Sequence, residues 1–280
     1  MIPNTTILSC IVTLFISLIL PLIVLLVYAL RNRKQGIVSA WIIGALGFFI
    51  PQMLIRLPTL ALLSPQLTRF AEFSPLLYAF SLAATAGLFE LAGRILAARA
   101  MGNRLTHKRA LAAGLGHGGI EAMVIIGISY INNLVYIVMI QAGTFDALLT
   151  QNAATPEVVA QLEQVRTALL TTSPAMFLLA GYERLLTMVC QAAMSVMVCY
   201  GMASGKPGKY ILLCLGLHTL LDCTAGISLY IGKGLTLATG YCIIYTILTA
   251  TTILSMVILR TILRRWAEVS KQEVAYDPQA

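Results

Sequence analysis

The chain has 280 residues, of which 59% are hydrophobic and only 11% charged, with a formal net charge of +8. Soluble domains carry about a quarter charged residues, so this composition excludes an ordinary water-soluble globule and calls for a lipid bilayer as partner. The positive balance does not describe a nucleic-acid surface, because the lysines and arginines sit in short clusters between apolar runs.

Seven apolar runs are each long enough to cross a bilayer as a helix. The first covers about residues 6–30, and the basic cluster Arg31, Arg33 and Lys34 follows it. That order predicts an anchoring span with its N-terminus outside, not a cleaved leader. The second, about 37–63, contains Pro51 and Pro58, expected to kink it, and one charge at Arg56. A short polar loop, 64–74, leads to the third span at about 75–100, which carries Glu90 and Arg94. After the basic loop 101–109, the fourth span at about 110–141 holds His117, Glu121, Asn132 and Asn133.

Residues 143–173 form the one sizeable loop. Thr155-Pro156-Glu157 reads as a helix start, with a capping residue, a proline at the first helical position and then an acid. Val158, Leu162, Val165 and Leu169 share one face, which predicts an amphipathic helix on the outer membrane surface or a lid over the bundle. Spans five to seven are expected at about 174–203, 209–231 and 236–262. The fold class is therefore all-α: a multi-pass bundle forming one domain over 1–265, with a short cytoplasmic tail at 266–280. The six cysteines lie in apolar segments without CxxC spacing, so neither a disulfide framework nor a zinc knuckle is expected.

An outside N-terminus and seven spans place thirteen lysines and arginines in inside segments and three (Arg69, Arg166, Lys233) in outside loops. This asymmetry follows the positive-inside rule and predicts an inside C-terminus. The expected location is the plasma (inner) membrane of a bacterial-type cell.

Ionisable side chains within such spans are costly and usually face the bundle interior. Counted from the cytoplasmic helix ends, Glu90 lies roughly 15 Å deep, His117 roughly 11 Å, Gln191 roughly 15 Å and His218 roughly 13 Å. Four polar residues on four helices thus share a layer, with Glu121 and Asp222 one turn deeper and Arg94 one turn shallower. Arg56 and Glu183 come at a common greater depth, near the outer boundary, and are expected to form a structural ion pair.

The layer admits two chemistries. In one, His117 and His218 ligate a divalent metal, zinc by preference, with Glu121 or Asp222 completing or orienting the set and Glu90 as general base. In the other, Glu90 activates a water directly while the two histidines bind an oxyanion, with Arg94 as counter-ion to the carboxylate. The non-enzymatic readings are a transporter or peptide-binding chaperone that uses the same cavity, and a scaffold whose polar layer only specifies helix packing.

Four motifs carry a resemblance: Phe89-Glu90-Leu91-Ala92-Gly93-Arg94, Gly114-Leu115-Gly116-His117-Gly118-Gly119-Ile120-Glu121, Glu183-Arg184, and His218-Thr219-Leu220-Leu221-Asp222. In these and in span number the chain resembles the YhfC family of intramembrane metalloproteases, related to the CAAX-protease and bacteriocin-processing group. The resemblance implies a multi-span helical fold and hydrolysis of a peptide or membrane-protein substrate in or beside the bilayer. It also implies Glu90, His117 and His218 as the candidates for water activation, metal binding or oxyanion binding. The chain departs from the family pattern at Phe89, where paired acids are usual, and at Gln191, where the pattern has a histidine.

Overall fold

A backbone crossing lipid must satisfy its own N–H and C=O groups, and a helix is the local way to do so. The computed structural model describes residues 2–153 and 155–276, and no strand occurs among them. Among the described residues, seven helices are long and apolar enough to cross a membrane: Asn4–Arg31, Ile37–Leu62, Pro75–Arg104, His107–Gln141, Pro174–Ala203, Pro207–Tyr230 and Leu237–Val269. They are referred to below as spans one to seven. All seven fall where the hydropathy of the chain predicts them, with ends shifted by a few residues.

Three local features differ from expectation, each for a readable reason. The polar loop 64–74 is a helix, Ser64–Phe73, opened by Pro65 in its first turn and closed by an edge-on contact of Phe70 with Tyr78 at 6.0 Å. The amphipathic helix Pro156–Thr171 begins at the expected proline, but the Thr155 side chain makes no capping hydrogen bond. The seventh helix runs on to Tyr276, through most of the expected tail. Its inward face continues past residue 262, because Ile262 and Trp266, one turn apart, are both buried and Trp266 meets the Tyr200 ring at 5.4 Å. Residues 277–280 of that tail lie outside the described residues.

Of the two prolines of span two, Pro51 lies in a widened stretch of the helix and Pro58 in the regular α-helix after it. Phe49–Arg56 is a π-helical segment, and Pro51, which has no N–H to donate, sits within it. Shorter π segments occur at Phe15–Ile19 and Met123–Gly127.

The chain divides into two compact units: Met1–Leu22 with Ala122–Leu185, and Ile23–Glu121 with Leu186–Ala280. The first has a core of Cys10, Tyr130, Ile137, Leu169 and Phe177. Thr13 Oγ1 (2.7 Å) and Tyr130 OH (3.0 Å) both donate to the Phe177 carbonyl. Leu162 and Leu169 of the amphipathic helix are buried, so that helix seats its apolar face in this unit, while Val158 stays exposed. Arg166 joins it to the short helix Phe145–Gln151 through Asp146 (2.7 Å) and the Phe145 ring.

The second unit holds the larger core, built around Ala40, Leu91, Ala98, Ala113, Cys190, Met194 and Met197. Span five is the most enclosed of the seven, with 61% of its most apolar stretch buried against 22% for spans one, four, six and seven. All of the predicted polar layer belongs to this unit.

Candidate active site

Glu90 and Arg94 lie one turn apart on span three, 4% and 2% exposed. Burial of this kind is tolerable only for charges that are paired and hydrogen-bonded. Glu90 Oε2 accepts from Arg94 Nη2 at 3.1 Å and from Gln191 Nε2 at 3.2 Å, and stands 3.0 Å from His117 Nε2. His218 Nδ1 is 3.6 Å from the same oxygen. The four residues predicted to share a layer therefore converge on one carboxylate.

The supporting groups fall around this centre. Gln191 is fully engaged: its Nε2 donates to Glu90 and to Glu121 Oε2, and its Oε1 accepts from Arg94. His218, 2% exposed, has Asp222 Oδ2 at 3.2 Å from Nε2, within ion-pair reach though not aligned as a hydrogen bond at either ring nitrogen. The Asp222 side chain is itself 40% exposed. The Phe48 ring packs edge-on against His117 at 5.4 Å.

Close helix approach makes these distances possible. A Cβ on Gly93 would lie 1.7 Å from the Gly47 carbonyl oxygen, so only glycine lets span two rest on span three at this level. A Cβ on Gly118, next to His117, would lie 2.9 Å from Gln191 Cβ and displace that side chain. Gly114, Gly116 and Gly118 of the fourth-span motif thus act through packing.

Arg56 and Glu183, expected to form an ion pair, each have partners within their own unit. Arg56 donates to the Leu82 carbonyl at 2.8 Å, to Thr85 Oγ1 at 3.4 Å and to Gln52 Oε1 at 3.4 Å. Glu183 pairs with its neighbour Arg184. A residue that the sequence reading passed over completes the site: Gln52, 6% exposed, donates from Nε2 to Glu90 Oε1 at 2.7 Å. A neutral amide is a faint anomaly in an apolar run. Its one usable signal was its place between two prolines and one turn before Arg56.

A family model described as "YhfC intramembrane metalloprotease" matches residues 16–248, a stretch that includes every residue of this site. The chain belongs to the YhfC family. It is 33% identical over 198 residues to the "Uncharacterized membrane protein YhfC" of Bacillus subtilis (strain 168), covering 69% of this chain and 75% of that protein. No solved structure matches it.

The family's description implies a metal, so the donor set matters. His117 Nε2 and His218 Nδ1 face Glu90 Oε2, but that oxygen already receives Arg94 and Gln191, and its partner oxygen receives Gln52. Asp222 stands against the opposite nitrogen of the His218 ring, and Glu121 is met by the Gln191 amide. Among the described residues, no group of three or more His, Cys, Asp or Glu side chains is arranged to hold an ion. A guanidinium 3.1 Å from the shared oxygen also opposes a dication there. These YhfC residues do not fit a zinc centre. They fit a carboxylate held by hydrogen-bond donors.

Proposed function

We propose that the chain is a membrane-embedded endopeptidase in which Glu90 itself activates the attacking water. The observation that carries this reading is the convergence of Arg94, His117, Gln191, His218 and Gln52 on one buried carboxylate. A carboxylate so held, with its charge balanced by Arg94, is a positioned base in a medium of low dielectric. Glu90 takes one proton from water as the oxygen attacks the scissile carbonyl carbon. His117 and His218, both facing Glu90, donate to the oxyanion that forms. When the C–N bond breaks, Glu90 returns the proton to the leaving amine, and acid and amine products separate. Asp222, on the far side of the His218 ring, fixes the orientation of that imidazole.

The test is cleavage of a membrane-anchored peptide library by the wild-type protein reconstituted in liposomes. On this reading the purified protein carries no stoichiometric zinc, and cleavage survives dialysis against a chelator. About one ion per chain, lost in a His117→Ala, His218→Ala double variant together with activity, would overturn the metal-free reading. A folded wild type with no cleavage of any member would favour a binding or transport role for the same cavity.

The charge distribution supports an outside N-terminus in a bacterial plasma membrane, which sets the site nearer the cytoplasmic side. In intact cells, Arg69→Cys should then react with a membrane-impermeant thiol reagent above the wild-type background, and Arg33→Cys should not. The reverse pattern would invert the topology.

A further inference from the structure

The two oxygens of Glu90 are not equivalent. Oε2 lies within hydrogen-bond distance of three nitrogens, from Arg94, Gln191 and His117, whereas among the described residues Oε1 meets only Gln52 Nε2, at 2.7 Å. A carboxylate offers about two acceptor positions per oxygen, so the open one is on Oε1. Which end of the Gln52 amide faces Glu90 is fixed from behind. Arg56 Nη1 can only donate, and it donates to Gln52 Oε1, which turns the N–H2 end towards the carboxylate. Arg56 is anchored in turn on the Leu82 carbonyl and on Thr85.

The backbone under Gln52 is specialised for this. It follows Pro51 inside the π-helical segment Phe49–Arg56, and a π turn re-aims side chains that regular α spacing would place elsewhere. Gly93, one turn from Glu90, brings this segment against span three.

From this geometry, and resting on the peptidase reading above, we infer that Gln52 is a positioning residue. With Arg56 behind it, Gln52 holds Glu90 Oε1 as the oxygen that takes the proton of water. Its N–H occupies one acceptor position of Oε1 and aims the other at the substrate side. Gln52 does not touch the reacting bond and acts through Glu90.

Two variants and two readouts test this. Gln52→Met keeps the side-chain length and removes the donor; Gln52→Asn keeps the amide and shortens the reach. Loss of one hydrogen bond to a charged group predicts a fall of about 10- to 100-fold in kcat for Gln52→Met, with KM unchanged. Gln52→Asn should fall less, and both variants should keep the thermal unfolding profile of a folded protein. A rise in KM at constant kcat would overturn the assignment. The second readout needs no turnover: infrared spectra of protein labelled with carboxyl-carbon-13 glutamate, with the Glu90 bands identified by their loss in Glu90→Gln. Gln52→Met should shift those carboxylate bands, and unmoved bands would refute the contact. If wild type cleaves nothing, the peptidase reading fails by itself while the infrared comparison still decides the role of Gln52.

Discussion

Replacing Glu90 by Gln should abolish peptide hydrolysis while the protein still folds into the membrane. The amide cannot take a proton from water, and loss of a positioned base costs about 10²- to 10⁴-fold in rate. The substitution is not silent structurally, and that matters for the control. One amide atom must face Gln52 Nε2 and the other must face Arg94, His117 and Gln191. Whichever way the amide turns, its N–H2 meets donors and Arg94 loses its counter-charge, which predicts a loss of about 3–5 kcal/mol in stability. Activity should therefore fall much further than the population of folded protein. Turnover in liposomes, read beside circular dichroism and thermal unfolding of the same sample, separates the two. Wild-type turnover in Glu90→Gln would remove Glu90 from the chemistry, and collapse of the fold would point to a packing role.

How much of this was legible in the chain depends on which physical signal each feature leaves. The seven spans were readable because a helix in lipid needs about 20 consecutive apolar residues, a pattern few other structures produce. The layer of Glu90, His117, Gln191 and His218 was readable because helical rise converts sequence position into depth. The hydrogen bonds that Arg56 makes were not. Depth says nothing about rotation around the helix axis, and Arg56 is turned towards Leu82 and Thr85 of span three. Gln52 escaped for a related reason: the π segment Phe49–Arg56 breaks the 100° spacing on which such readings rest. The donor set was equally out of reach. Two histidines each followed four residues later by an acid suggested ligands, but Asp222 lies on the outer side of the His218 ring and Glu121 meets Gln191. The helix Ser64–Phe73 was hidden by its polarity, which resembles that of a loop.

Arg94→Met should destabilise the protein by about 3–5 kcal/mol, because it strands the Glu90 charge in the interior. Arg94 is 2% exposed, and its guanidinium has Glu90 and Gln191 as its side-chain partners. Glu90 and Gln191 both accept from it, and Glu90 alone of the two supplies a counter-charge. The dependence is mutual, since Gln52 and Gln191 supply Glu90 with neutral donors but not with a full charge. Removing both members of such a pair should cost less than removing the cation alone. The Glu90→Gln, Arg94→Met double variant is accordingly expected to be more stable than Arg94→Met, with a coupling of about 1–3 kcal/mol. Equilibrium unfolding of the four proteins in mixed micelles measures this cycle. Strict additivity would mean that Arg94 is held by something other than the carboxylate. Arg94→Lys sharpens the point. An ammonium restores the charge but not the planar fork that reaches Glu90 and Gln191 together, so it should recover stability more fully than turnover.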